Sequence, residues 1–234
     1  MGASLSLGAI RAVASKNRPR RKAQAALRVW SAGVTQLSAC GPALALVELS
    51  SIAAGMQAAD AMAKRASIDV LKAGTVHNGK YLVLVGGQVA DVEESLAAGR
   101  EVGGGAVLDF VFLPHVHPEV VGTIGGARAP AATDALGIVE TTTVAAAILA
   151  ADAGVKGAQV RLVELRLADG LGGKGVVLFS GLVADVEAAV RLATGALERP
   201  ELLVRDVVIP QLHPGLWENV GESTWFGSQV MGKL

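Results

Sequence analysis

The chain holds 234 residues, with 21 Lys and Arg against 21 Asp and Glu, 51% hydrophobic residues, only 3% aromatic residues and one cysteine. That length allows one large domain or two small ones, and the single thiol excludes an internal disulfide or a self-contained Cys-rich metal site. A core so poor in rings must be built from Ala, Val, Leu and Ile in thin, closely packed layers.

The charge balance is uneven. Residues 1–42 carry Arg11, Lys16, Arg18, Arg20, Arg21, Lys22 and Arg28 and no acid, leaving 14 Lys and Arg against 21 Asp and Glu in the remainder. This stretch is expected as a disordered basic arm on a mildly acidic body. A docking arm for an acidic surface, or an upstream start codon, are the other readings. The longest charge-free stretch, Val29 to Val47, is interrupted by Ser, Thr, Gln, Gly and Pro, so no transmembrane helix is expected. A secretory signal is not expected either, and one cysteine, Cys40, fits a reducing cytosol.

After the arm the chain builds a unit over residues 43–124. A short apolar strand, Ala43–Glu48, meets Ser residues able to cap a helix. The helix Ser51–Arg65 follows, then a hairpin of Ile68–Val76 with Lys80–Val85, whose Asn78-Gly79 pair favours a two-residue turn. A second helix and a last strand ending at Pro114 complete the order βαββαβ. Residues 125–134, "GGARAPAATD", read as a linker.

Residues 135–218 repeat the unit. "ALALVELSSIAAGMQAADAMAKRA" from Ala43 aligns with "ALGIVETTTVAAAILAADAGVKGA" from Ala135, pairing Glu48 with Glu140, Asp60 with Asp152 and Lys64 with Lys156 at a spacing of 92 residues. The strand Ala135–Glu140, the helix Thr143–Lys156 and the hairpin Val160–Leu167 with Gly175–Phe179 follow. The second hairpin loop is two residues longer, "LADGLGGKG", so "GQVADVEES" at Gly87 meets "GLVADVEAA" at Gly181. Val183, Val186, Val190 and Ala193 form one helical stripe. The last strand ends at Pro210, and residues 219–234 are a tail. The fold class is α+β: two tandem ferredoxin-like βαββαβ domains, one ancestral domain duplicated and fused.

Both copies resemble the bacterial microcompartment shell domain. The marks are "ALxxxE" on the first strand, "AAD…K" on the first helix, a glycine-bearing hairpin, "G.VADVE" and a Pro-bearing exit, over Ala43 to Trp217. The unpermuted element order is similar to that of tandem-domain shell proteins, nearest those of propanediol-utilising compartments. The resemblance implies a homotrimer forming a pseudo-hexameric tile with a central pore, in a shell in the bacterial cytoplasm. It implies no enzyme activity. Its partners would be other shell proteins, metabolites crossing the pore and, as a further option, enclosed enzymes. Membrane and nucleic acid are not expected partners.

The resemblance implies a pore lined by His77, Asn78 and Gly79 from one loop and Asp169, Gly170, Leu171, Gly172 and Gly173 from the other. Lys80 and Lys174 would add charge at a pore mouth or flank the hairpins in water. Lys64 and Lys156 fall on tile-edge positions, their stems covering apolar surface, or are plain lysines at helix ends. His115 and Gln211 stand where many relatives carry an arginine, and neither offers its five-donor fork. His117 and His213 lack neighbouring ligands and read as structural histidines.

His77 occupies a position where related tandem proteins carry a cysteine that helps hold an iron–sulfur cluster. Such clusters are normally held by thiolates, and the only thiol, Cys40, precedes the first repeat, so no cluster and no other cofactor is expected. Three readings of His77 stay open: a plain polar pore lining, a three-histidine metal site on the threefold axis, or a pH-dependent gate. Function divides likewise into a shell tile, a metal-binding or electron-transfer shell protein, and a trimeric ligand-binding regulator. No Ser/His/Asp grouping, phosphate loop or paired acids suggest a hydrolase or kinase.

Overall fold

A computed structural model describes residues 41–129 and 134–227; the basic arm as far as Cys40 lies outside them. β1 (Ala43–Leu49) is buried along its whole length, as an apolar strand covered on both faces must be. Ser51 accepts the Ala54 N–H at 3.3 Å and starts α1 (Ile52–Arg65). β2 (Val70–Val76), one 3-10 turn over His77–Gly79, β3 (Lys80–Gly87), α2 (Val89–Gly103) and β4 (Val107–Leu113) follow. The second copy runs β5 (Ala135–Thr141), α4 (Val144–Gly157), β6 (Arg161–Leu167), β7 (Gly175–Gly181), α5 (Val183–Gly195) and β8 (Leu203–Pro210). Thr143 caps α4 by accepting the Ala146 N–H at 3.2 Å.

The strands form two four-stranded antiparallel sheets, ordered β2-β3-β1-β4 and β6-β7-β5-β8. Alternation along β1 sorts its two faces. Ala43, Ala45, Val47 and Leu49 pack with Ala58 and Met62 of α1 and with Val92 and Leu96 of α2. Leu44 and Leu46 face the other way and join Val111 and Leu113 of β4 in a core shared with α4 of the second copy.

Two features depart from the expectations. The first hairpin turn has three residues, because Val76 pairs with Lys80 and leaves His77 inside the turn. Asn78 and Gly79 both have φ 69°, which is why a tolerant Asn-Gly pair stands there. Each exit also forms a helix, α3 (Pro118–Ile124) and α6 (Pro214–Glu222). His117 and His213 cap them, their Nδ1 atoms accepting from Glu119 N–H at 3.3 Å and Gly215 N–H at 3.2 Å. A proline at the first helical position after a polar cap is the signal for such helices.

Candidate pore loops and the junction between the repeats

The two hairpin loops lie on different sheets and meet tip to tip. In the second loop Ala168 is fully buried with φ 58°, and Gly170, Gly172 and Gly173 have φ 73°, 64° and 84°. Ala168 ties the loop into a compact turn: its N–H donates to the Lys174 carbonyl at 2.8 Å, and its carbonyl accepts from Leu171 and Gly173. Glycine is required where the chain runs left-handed three times in four residues.

Asp169 Oδ1 accepts the His77 backbone N–H at 3.1 Å and lies 3.0 Å from His77 Nδ1. The Gly170 N–H donates to that same Nδ1 at 3.2 Å. A ring protonated on Nε2 accepts from Gly170; a ring carrying a proton on Nδ1 donates to Asp169. Lys80 Nζ reaches the Gly173 carbonyl at 2.9 Å, and the Asn78 side chain lies beside Gly173. His77, Asn78, Asp169, Gly170 and Gly173 are therefore brought together, whereas Gly79 and Gly172 are open outward.

Lys80 is more than a flank to its hairpin. Its ammonium donates to Glu48 Oε1 at 2.6 Å, with the two side chains 12% and 0% exposed. Glu48 Oε2 accepts the Val144 N–H at 2.7 Å, so a carboxylate of the first copy caps the first turn of α4 in the second. Burial pushes the Glu48 carboxyl above its usual range, opposed by the Lys80 hydrogen bond and charge and by the Val144 and Ala145 N–H groups.

The junction has a second polar anchor. Asp152, on α4, accepts the His117 N–H at 2.8 Å and pairs with Lys156 at 2.5 Å. Its counterpart Asp60 pairs with Lys64 at 2.6 Å. Lys64 and Lys156 thus each fold back one turn onto an aspartate. Asp109 adds a third anchor, accepting from Thr143 Oγ1 at 2.5 Å and from Arg199 at 2.9 Å. These junction roles were not assigned from sequence, although Glu48, Asp152 and their repeat mates align there letter for letter. Which of two matched residues faces the neighbouring copy depends on how the copies dock.

Around the second copy, Arg128 of the linker donates to the Val220 carbonyl and pairs with Glu164, while Glu164 also accepts the Thr224 N–H at 3.3 Å. The segment after α6 thereby lies along β6, and Trp225 sits beside Gly170. At the position opposite His115, Gln211 has φ 52° and donates its N–H to the Asp134 carbonyl at 2.6 Å. Among the described residues no group of three or more His, Cys, Asp or Glu side chains stands together in one chain. The loop tips carry no thiol that would suit an iron–sulfur cluster. Among the same residues no helix is long and apolar enough to cross a membrane.

The BMC domain model matches the chain twice, at residues 43–116 and 135–212. The chain is 40% identical over 180 residues to the bacterial microcompartment shell protein PduT of Citrobacter freundii, covering 77% of this chain and 98% of that protein. It is 34% identical over 85 residues to the carboxysome shell protein CcmK2 of Thermosynechococcus vestitus, covering 34% of this chain and 83% of that one. A crystal structure of a microcompartment protein from Desulfitobacterium hafniense matches with a TM-score of 0.67 and 44% identity, over 75% of this chain and 98% of that chain. The chain belongs to the bacterial microcompartment shell proteins, with the BMC domain present twice in tandem.

Proposed function

We propose that three copies of this chain close into a pseudo-hexameric tile of a microcompartment shell in the bacterial cytoplasm, with a central pore for small molecules. The observation that carries this is a difference between matched helices. In α4, Val144 and Ile148 are fully buried, and buried residues line the helix on nearly every side, because one side meets its own sheet and the other meets the first copy. In α1 the same positions are Ile52 and Met56, 40% and 57% exposed. A helix apolar on the side away from its own sheet calls for a second covering surface. The equivalent surface is the outer face of the second sheet, around Ile138 and Val176. Head-to-tail contacts of this kind close into rings when their rotation allows.

In such a ring the two loop types alternate around one axis, with His77, Asn78 and Gly79 beside Asp169, Gly170, Leu171, Gly172 and Gly173. The lining is polar, carries imidazole and carboxylate side by side and presents backbone carbonyls, so it discriminates by aperture and local charge. Other tiles of the shell are the further partners, met at edges that include Lys64 and Lys156.

Electron microscopy of the purified chain, alone and co-expressed with single-domain shell proteins, tests this. Ring-shaped particles that join into sheets or closed shells are expected. Particles that never tile, and that bind a metabolite instead, would favour a ligand-binding regulator.

A further inference from the structure

Three polar anchors hold the two copies together inside the chain, and two of them, at Glu48 and at Asp152, have a matching repeat mate at the chain's outer ends. Glu48 with Lys80 has Glu140 with Lys174, whose side chains are 32% and 46% exposed and 2.7 Å apart. Asp152, 6% exposed, has Asp60, 62% exposed. His117, whose N–H donates to Asp152, has His213. Gly173, whose carbonyl accepts from Lys80, has Gly79, which also precedes a lysine.

We infer that Glu140, Lys174 and Asp60 recognise a second copy of this chain by repeating the contacts that Glu48, Lys80 and Asp152 make inside it. Glu140 caps α1 of the second copy at the Ile52 N–H, as Glu48 caps α4 at Val144. Lys174, still paired with Glu140, donates to the Gly79 carbonyl of the second copy. Asp60 accepts the His213 N–H from the copy on its other side. The direction is consistent: in each case the sheet and lysine of one domain engage the helix and loop of the next.

Two features make the assignment specific. Both lysines directly follow a loop that ends in a left-handed glycine, with φ 69° at Gly79 and 84° at Gly173, so the carbonyl that Lys174 would meet has the same local setting as the one Lys80 meets. Both glutamates stand at the same register, Glu48 opposite Leu82 and Asp109, Glu140 opposite Val176 and Arg205. Arg205 in place of Asp109 makes the outer junction chemically distinct from the inner one. Each lysine then ties a loop to its neighbour, and the loops around the axis form one linked circuit whose aperture the Glu–Lys pairs help to set.

This inference rests on the ring proposed above, and the test separates the two. The full chain is compared with the double variant Glu140→Lys, Lys174→Glu by sedimentation velocity over a dilution series, with circular dichroism as a check of folding. The swap keeps an ion pair within the chain, so a role confined to one chain predicts no change. The inference predicts an unchanged spectrum and an oligomer whose dissociation concentration rises by about 100-fold or more, because a lysine now meets a helix N-terminus. Asp60→Lys, on the exposed side of α1, is predicted to weaken the oligomer in the same way and decides the matter should the swap misfold. A wild-type ring with both variants assembling at wild-type concentrations overturns the inference and leaves the tile intact. A wild-type chain that stays monomeric overturns both.

Discussion

Glu48 shows how one side chain joins folding to the site. It is out of water, pairs with Lys80 and caps α4 across the junction. Because burial raises its pKa in the folded chain, the stability it contributes is greatest below the ordinary carboxylate range and falls as pH rises through the raised value. Glu48→Gln keeps an acceptor for the Val144 N–H and removes this titration. Denaturant unfolding from pH 4 to pH 7 should therefore show the variant gaining on the wild type as pH rises; a constant difference would contradict the account. Lys80→Met, by contrast, leaves a buried carboxylate without its cation and should cost about 3 kcal/mol or more at neutral pH. At the loop tips, Asp169→Ala removes the acceptor of the His77 N–H. Hydrogen exchange at His77 should quicken about tenfold or more, given roughly 1.5 kcal/mol for a charge-assisted bond, with β3 unchanged.

Between elements, the two copies fill the same hole with different residues. In the first copy Gly55 of α1 makes room for Tyr81 of β3, and Gly99 of α2 makes room for Met62 of α1. In the second, Ala147 of α4 lies against Gly175 of β7, and Gly154 of α4 lies under the Phe179 ring. Tyr81 matches Gly175 and Gly55 matches Ala147, so there bulk passes from strand to helix; Met62 matches Gly154 and Val85 matches Phe179, so there it passes from helix to strand, and the layer spacing is kept. Gly154→Ala should destabilise the protein by about 1–3 kcal/mol, since the fully buried Phe179 ring has nowhere to go. Gly154→Met alone is harsher still; combined with Phe179→Val and with Ala193→Gly, the mate of Gly99, it restores the first copy's arrangement and should recover much of that loss, and losses that simply add would refute the exchange.

The strand and helix order was legible because the repeat supplied every pattern twice. Alternation in β1, Ser51 and Thr143 as caps, and the Asn78-Gly79 turn all acted locally, within reach of a sequence pattern. The helices α3 and α6 are not legible in this way, since each is short and is capped by an imidazole rather than a hydroxyl. The loop residues were named through the family resemblance. Their meeting within one chain, His77 on Asp169 and Lys80 on Gly173, follows from docking of two domains that no local pattern encodes.

For the whole molecule, the ring proposed above makes the internal junction a template for the external one. The chain buries one side of α4 and leaves the matching side of α1 uncovered, and it pairs one loop tip with another while each loop has a second side. The resulting object has a sheet at one end and a helix at the other that suit each other. In the proposed ring, three such chains satisfy every end. Native mass spectrometry of untagged full-length protein measures this directly. A dominant species at three times the 23.7 kDa chain mass is expected, with no monomer at micromolar concentration. A dominant species at the single chain mass, or at twice it, would rule out the trimeric ring.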